Sequence, residues 1–220
     1  MKKILFQLVS FCAAICLFVA CNTQRRAADA TIICPTALYD EGVVINGVRW
    51  ATRNVDAPGT FADSPASVGM FYSIDRGWWQ AWEIASGNPF PLQPTNIHID
   101  SPIGPCPPGW RMPTDEEFRS LISAGSEVVR MGSIYGRLFG IAPNQIFLPA
   151  TGHLSSPSVI NPMNPTPFIH TILFEGRRGS YWSRYSLDNR VLGRGSLYFS
   201  TVVDFIRLQR GGSSIRCVAR

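Results

Sequence analysis

Cys106-Pro107-Pro108-Gly109-Trp110-Arg111-Met112-Pro113-Thr114-Asp115-Glu116-Glu117-Phe118 is the best-punctuated stretch of the chain. Its prolines keep the first half extended, and Thr114 followed three residues later by Glu117 forms a capping box. Asp115 and Glu116 favour the positive end of a helix. Phe118, Leu121 and Ile122 then recur at i, i+3 and i+4, one apolar stripe facing a core. Gly125 is a suitable stop, so the pattern predicts a helix over 115–124. Upstream, Asn46-Gly47 between Val43-Val44-Ile45 and Val48-Arg49-Trp50 predicts a tight hairpin. Met70-Phe71-Tyr72 reads as a buried strand, and Asp75 to Gly104 as mostly irregular chain. Downstream, a second short helix is expected over Ser133–Phe139 and a strand from Ile146 toward Gly152. Ser155 to Pro167, with four prolines, reads as a long loop. Three further strands are expected at Gly179–Tyr185, Gly195–Val202 and Gly212–Val218.

Composition agrees with many short strands joined by turns. Of 220 residues, 45% are apolar and only 16% charged, with 19 Gly and 17 Pro. That excludes wholesale disorder and argues against a coiled coil or long-helix bundle. No internal repeat is visible, which argues against a solenoid or propeller.

The first twenty residues differ from the rest. Met1-Lys2-Lys3 is basic, Ile4 to Ala20 is apolar apart from Gln7 and Ser10, and Ala20 precedes Cys21. This pattern reads as a secretory signal, residues 1–20, in preference to a membrane-spanning anchor. Leu17-Phe18-Val19-Ala20-Cys21 resembles the lipobox of bacterial lipoproteins, which implies lipidation at Cys21 after cleavage. Residues 21–40 then read as a lipidated tether and 41–220 as a single domain. Asn22 in place of Asp favours outer-membrane sorting over inner-membrane retention. The implied location is the cell envelope, held by a lipid anchor.

Loss of the leader removes both lysines, so 18 Arg face 15 acids and the net charge falls from +5 to +3. No basic helix or basic–aromatic alternation accompanies it, and nucleic acid is not an expected partner. Of six cysteines, Cys12 and Cys16 leave with the signal and Cys21 takes lipid. Cys34, Cys106 and Cys217 remain in an oxidising setting, enough for one bridge and one leftover thiol. Cys34 sits ahead of the domain, whereas Cys106 and Cys217 border patterned segments, which favours a Cys106–Cys217 disulfide.

Several ordered motifs carry a family resemblance. They are Trp50-Ala51-Thr52-Arg53-Asn54-Val55, Pro58-Gly59-Thr60-Phe61, Gly69-Met70-Phe71-Tyr72, the Cys106–Thr114 stretch and Phe147-Leu148-Pro149-Ala150. Tyr181-Trp182-Ser183 and Gly212-Ser213-Ser214-Ile215-Arg216-Cys217-Val218 complete the set. In this order, over roughly 42–220, they resemble the Fibrobacter succinogenes major paralogous domain, a family common in bacterial exported lipoproteins. That family in turn resembles the C-type-lectin-like fold and the formylglycine-generating domain. The resemblance implies an α+β, C-type-lectin-like fold: a small, twisted, mostly antiparallel sheet with one or two helices and long loops. It also implies that Trp110 and the Thr114 cap set the helix onto the sheet.

No catalytic site is expected. The formylglycine-generating class needs a reactive thiol constellation, and its Asn-Val-Trp-Glu-Trp-like segment is missing. No Gly-x-Ser-x-Gly elbow or phosphate loop is present. No metal and no cofactor is expected either: there is no CxxC, His98, His153 and His170 are scattered, and the calcium-binding triplets of true C-type lectins are missing. Metal-free binding of a glycan or an envelope protein is the expected role. Phe71, Tyr72, Trp78, Trp79 and Trp82 crowd into one short stretch with Arg76, and flat aromatic faces stack on sugar rings. Tyr72, Arg76, Trp78, Trp79 and Trp82 are therefore the candidate ligand-binding residues. Core packing by some of these aromatics is the competing reading. An accessory subunit of a surface adhesin or pilus, or a degenerate enzyme-like domain, are the alternatives at the level of function.

Overall fold

Val43–Ile45 (β1) and Val48–Asn54 (β2) form the expected hairpin, with Val43 opposite Trp50. Asn46 and Gly47 take φ of 49° and 80°, the left-handed conformations that a two-residue turn between twisted strands requires. The structure is a computed structural model, and it describes residues 37–73, 77–80, 104–154, 172–173, 175–184, 194–208 and 211–220. All of these belong to one compact unit, Thr36–Arg220.

The remaining strands are Met70–Ser73 (β3), Gly77–Gln80 (β4), Trp110–Arg111 (β5), Ser126–Met131 (β6), Ile134–Ile141 (β7) and Asn144–Pro149 (β8). His153–Leu154 (β9), Ile172–Leu173 (β10), Gly179–Trp182 (β11), Arg194–Phe199 (β12), Val203–Leu208 (β13), Gly212–Ser213 (β14) and Arg216–Ala219 (β15) follow. They pair in the orders β1-β2-β15-β5, β10-β9-β14-β3-β4, β11-β12-β13 and β6-β7-β8. Every ladder is antiparallel, and parallel bridges at Gly152–Gly179 and Tyr181–Ser214 tie β11 to its neighbours. With the helix Asp115–Ser123 (α1), this is a mixed α+β fold.

Two apolar clusters share the central strands. Along β2, Trp50 belongs to one and Ala51 to the other; along β11 the same holds for Tyr181 and Trp182, and along β15 for Val218 and Cys217. Successive strand residues point to opposite faces, so these three strands are covered on both sides. The first cluster packs under α1, whose Phe118 and Leu121 are fully buried. The second is covered largely by irregular chain, through Phe61, Cys106 and Met112. There the Cys106–Cys217 disulfide joins β15 to the segment before β5, with Cα atoms 6.1 Å apart.

The helix begins as its sequence dictates. Thr114 Oγ1 accepts from the Glu117 amide at 3.2 Å, and Glu117 Oε2 accepts from the Thr114 amide at 2.8 Å. Gly125, at φ 81°, follows the last turn. Glu117 also takes both arms of Arg111, at 2.8 and 2.6 Å, which fastens α1 to β5. Burial pushes the Glu117 carboxyl up, but the Arg111 hydrogen bonds, the Thr114 amide and the charges of Arg111 and Arg184 outweigh it and hold it below the ordinary value. A carboxyl lowered in the folded state stabilises it fully above the unfolded value of 4.5 and loses that contribution as pH falls through the folded value. Chemical-denaturation stability of Glu117→Gln should therefore lie below wild type at neutral pH and converge on it in acid below about pH 4. A gap that stays constant down to pH 2 would contradict this role for the charge.

Four expectations need correction. Ser133–Phe139 is not helical: Ile134–Ile141 is the central strand of β6-β7-β8. Ile134 and Leu138 fit helical spacing, but Gly136 sits beneath the Phe147 ring, where a β-carbon would collide. Residues 77–80 form β4 in place of irregular chain. β6 and β13 lay in segments read without strands, and the last expected strand is interrupted between β14 and β15. The signal, most of the tether, Cys21, Cys34 and the proline-rich loop at 155–167 lie outside the described residues.

Candidate functional site

The aromatic stretch folds as a two-stranded ribbon. β3 lies between β14 and β4, with Phe71 opposite Trp79 and Tyr72 opposite Trp78. Directly opposed residues share a face of an antiparallel pair, so Trp78 and Trp79 occupy opposite faces. For residues 77–80 the backbone alone is described. Among the described residues β4 is the edge of its sheet. Arg76 and Trp82, also expected to bind ligand, lie outside the described residues.

Tyr72 is not a surface residue. It is 3% exposed, and its hydroxyl donates to the Asp56 carbonyl. Its own carbonyl accepts from Trp182 Nε1 at 2.7 Å. Burial first, then the Asp56 charge, drives its pKa well above the usual phenol value. Phe71 is fully buried as well. β3 therefore supports the ribbon from within, and of the expected set only positions 78 and 79 are placed on an edge strand.

Between β15, β2 and β8 lies a polar core that sequence reading missed. Arg216 is fully buried, and its guanidinium donates to Asn54 Oδ1 at 3.0 Å, the Ala51 carbonyl at 3.2 Å and the Phe147 carbonyl at 3.1 Å. One side chain on the last strand thus fastens β2 and β8. Tyr181, buried beside it, donates to the Pro149 carbonyl at 2.7 Å. Burial lowers the Arg216 pKa to about 10, partly opposed by Tyr181 and Asp40, so the group stays cationic at neutral pH. Burial likewise pushes Tyr181 up to about 12 against the pull of Arg216, Asn54 and Thr151. The signal was present in the motifs: Asn54 and Arg216 belong to the first and last of them, 162 residues apart.

Two further buried clusters join the sheets. The Ser180 hydroxyl lies 3.0 Å from that of Ser196 and 2.8 Å from that of Ser213, linking β11, β12 and β14. Ser183 Oγ donates to Asp115 Oδ1 at 2.6 Å, which locks the start of α1 against the end of β11. Near the start of the domain, Asp40 accepts from the Gly42 amide, the Thr52 amide and hydroxyl, and Arg53 Nε. Among the described residues, Trp50 Nε1 and Ser214 Oγ are buried and meet no hydrogen-bond partner. Among the described residues, no three His, Cys, Asp or Glu side chains are grouped to hold a metal ion. His153 is half-buried, and burial followed by the Arg178 charge lowers its pKa.

No protein-family model, no curated protein and no solved structure matches the chain.

Proposed function

We propose that the chain is a cell-envelope lipoprotein whose domain is a non-catalytic, C-type-lectin-like recognition module for glycan or protein, of the Fibrobacter succinogenes major paralogous type. The observation that carries this reading is the convergence of the motifs: the residues that bear the resemblance are those that hold one another. Asn54 binds Arg216, Cys106 binds Cys217, and the Trp182 indole binds the Tyr72 carbonyl. A domain whose shared residues are spent on the scaffold leaves recognition to what the scaffold displays. The candidate for that role is the edge strand β4, which carries positions 78 and 79.

A disulfide in the core fits an exported protein, and the lipobox-like Leu17–Cys21 places the anchor at Cys21. Cys21→Ala protein should no longer incorporate radiolabelled palmitate, and continued incorporation would refute the anchor at Cys21. A glycan-array screen of the mature protein, with and without chelator, tests recognition. Chelator-resistant binding is expected. A silent array, together with envelope proteins that co-purify stoichiometrically, would instead favour an accessory subunit of a surface assembly.

A further inference from the structure

The β6–β7 ribbon exposes more than a strand pair of a folded domain normally does. Gly132, at φ 62°, makes its turn, and the pairs run Met131–Ile134, Arg130–Tyr135, Val129–Gly136 and Val128–Arg137 back from the tip. Glu127, Val128, Arg130 and Met131 are all exposed, so both faces of β6 meet solvent. Val128 is 61% exposed, Met131 41% and Tyr135 50%. Val202, at 65%, stands in the β12–β13 turn, which Arg137 reaches through the Ser200 carbonyl at 3.2 Å. Half of the most exposed large apolar side chains of the described surface thus gather around one ribbon, and gathered apolar exposure marks an interaction surface.

On one face of the ribbon the charge has one sign. Residues directly opposed share a face, so Val128, Arg130, Tyr135 and Arg137 lie together, while Glu127, opposite Leu138, lies on the other face. The Arg130 guanidinium stacks over the Tyr135 ring at 5.3 Å. Arg137 is fixed by the Ser126 hydroxyl at 3.1 Å and carbonyl at 3.4 Å. Among the described residues neither guanidinium meets a carboxylate.

We propose that the outer end of the β6–β7 ribbon is a docking surface for an anionic lipid bilayer. Along the ribbon, Met131 and Ile134 come first, the Arg130–Tyr135 pair next, and Arg137 about 10 Å behind the tip pair at ~3.4 Å per residue. Apolar elements settle about 5–10 Å into the headgroup and acyl boundary, so the exposed Arg130 guanidinium falls at the level of the phosphates, while Arg137, held by Ser126 and Ser200, adds its charge behind. Tyrosine and arginine suit that level, with an apolar body inside and a polar end in the headgroups. A ribbon end with Met131 and Ile134 on one face, and Tyr135 and Val128 beside Arg130 on the other, suits insertion into a fluid interface, whereas a sugar chain needs a platform. The proposed envelope location supplies the setting; the binding itself does not depend on acylation.

The test therefore replaces the acyl group. The chain from residue 21, carrying Cys21→Ser, is held on vesicles by an amino-terminal histidine tag and a nickel-chelating lipid; it retains the whole compact unit from Thr36. A polarity-sensitive dye is placed at Ser133→Cys in a Cys34→Ser background, with Glu175→Cys as the comparison position. On phosphatidylcholine vesicles containing phosphatidylglycerol, the dye at 133 should shift to the blue and be quenched by spin-labelled lipid, while that at 175 does not change. Arg130→Glu, checked for an unaltered unfolding midpoint, should reduce the inserted fraction roughly tenfold. No shift at 133, or an equal shift on vesicles of phosphatidylcholine alone, overturns the proposal. A shift produced by a soluble acidic polysaccharide and not by vesicles would assign the face to a glycan instead.

Discussion

Arg216→Leu should lower the unfolding free energy by about 3–5 kcal/mol, the larger part of it from acceptors left unpaired. Arg216 is the donor to Asn54 Oδ1 and to the carbonyls of Ala51 and Phe147, and all of these residues are buried. A buried acceptor without a donor costs about 1–3 kcal/mol, and the shorter side chain also leaves a void. Relief from burying a guanidinium works the other way, which is why the estimate is less than the simple sum. Arg216→Lys restores the charge but cannot reach three acceptors on two strands, so it should recover only part of the loss. Urea midpoints of the three proteins measure this, with the slope unchanged. A loss below about 1 kcal/mol for Arg216→Leu would mean that water or rearranged neighbours satisfy those oxygens.

The second large effect belongs to the disulfide. Cys106 and Cys217 are separated by 111 residues, and closing a loop of that size restricts the unfolded chain by about 4–5 kcal/mol in the chain-entropy view. Cys106→Ala/Cys217→Ala should therefore unfold at a markedly lower urea concentration than the oxidised protein. The two residues are 5% and 0% exposed, so a reductant reaches the bond only after β15 or the irregular segment around Cys106 moves away. Reduction of the folded protein should accordingly follow the opening rate and quicken sharply once mild denaturant is present. Immediate reduction in native buffer would show that one of these two segments opens locally at little cost.

How much of this was legible depends on how local the cause is. The Thr114–Glu117 cap and the Asn46-Gly47 turn are settled by residues within a few positions of each other, and both occur as read. The helix expected over Ser133–Phe139 fails because its apolar spacing suits a strand as well. The segment instead pairs with β6 and β8, contacts made only on folding. Tyr72 is expected both in a buried strand and in the ligand-binding set, and the buried strand is what occurs; nothing nearby in sequence says that Trp182, 110 residues on, donates to its carbonyl. Arg216 presents the same difficulty more strongly. A lone arginine beside a cysteine reads as a surface charge until three acceptors from two distant strands surround it. The exposed face of β6–β7 was not visible either, since no strand is expected at 126–131 and a helix is expected over Ser133–Phe139.

The recognition reading stands on the edge of the β3–β4 ribbon. Its most direct measurement is calorimetric titration of the mature protein with the strongest array ligand, in chelator, against Trp78→Ala/Trp79→Ala protein of matched stability. At least a tenfold weakening in the variant, with wild-type affinity unaffected by chelator, is the expected result. Equal affinity in both proteins would contradict it and remove the ribbon from the binding site.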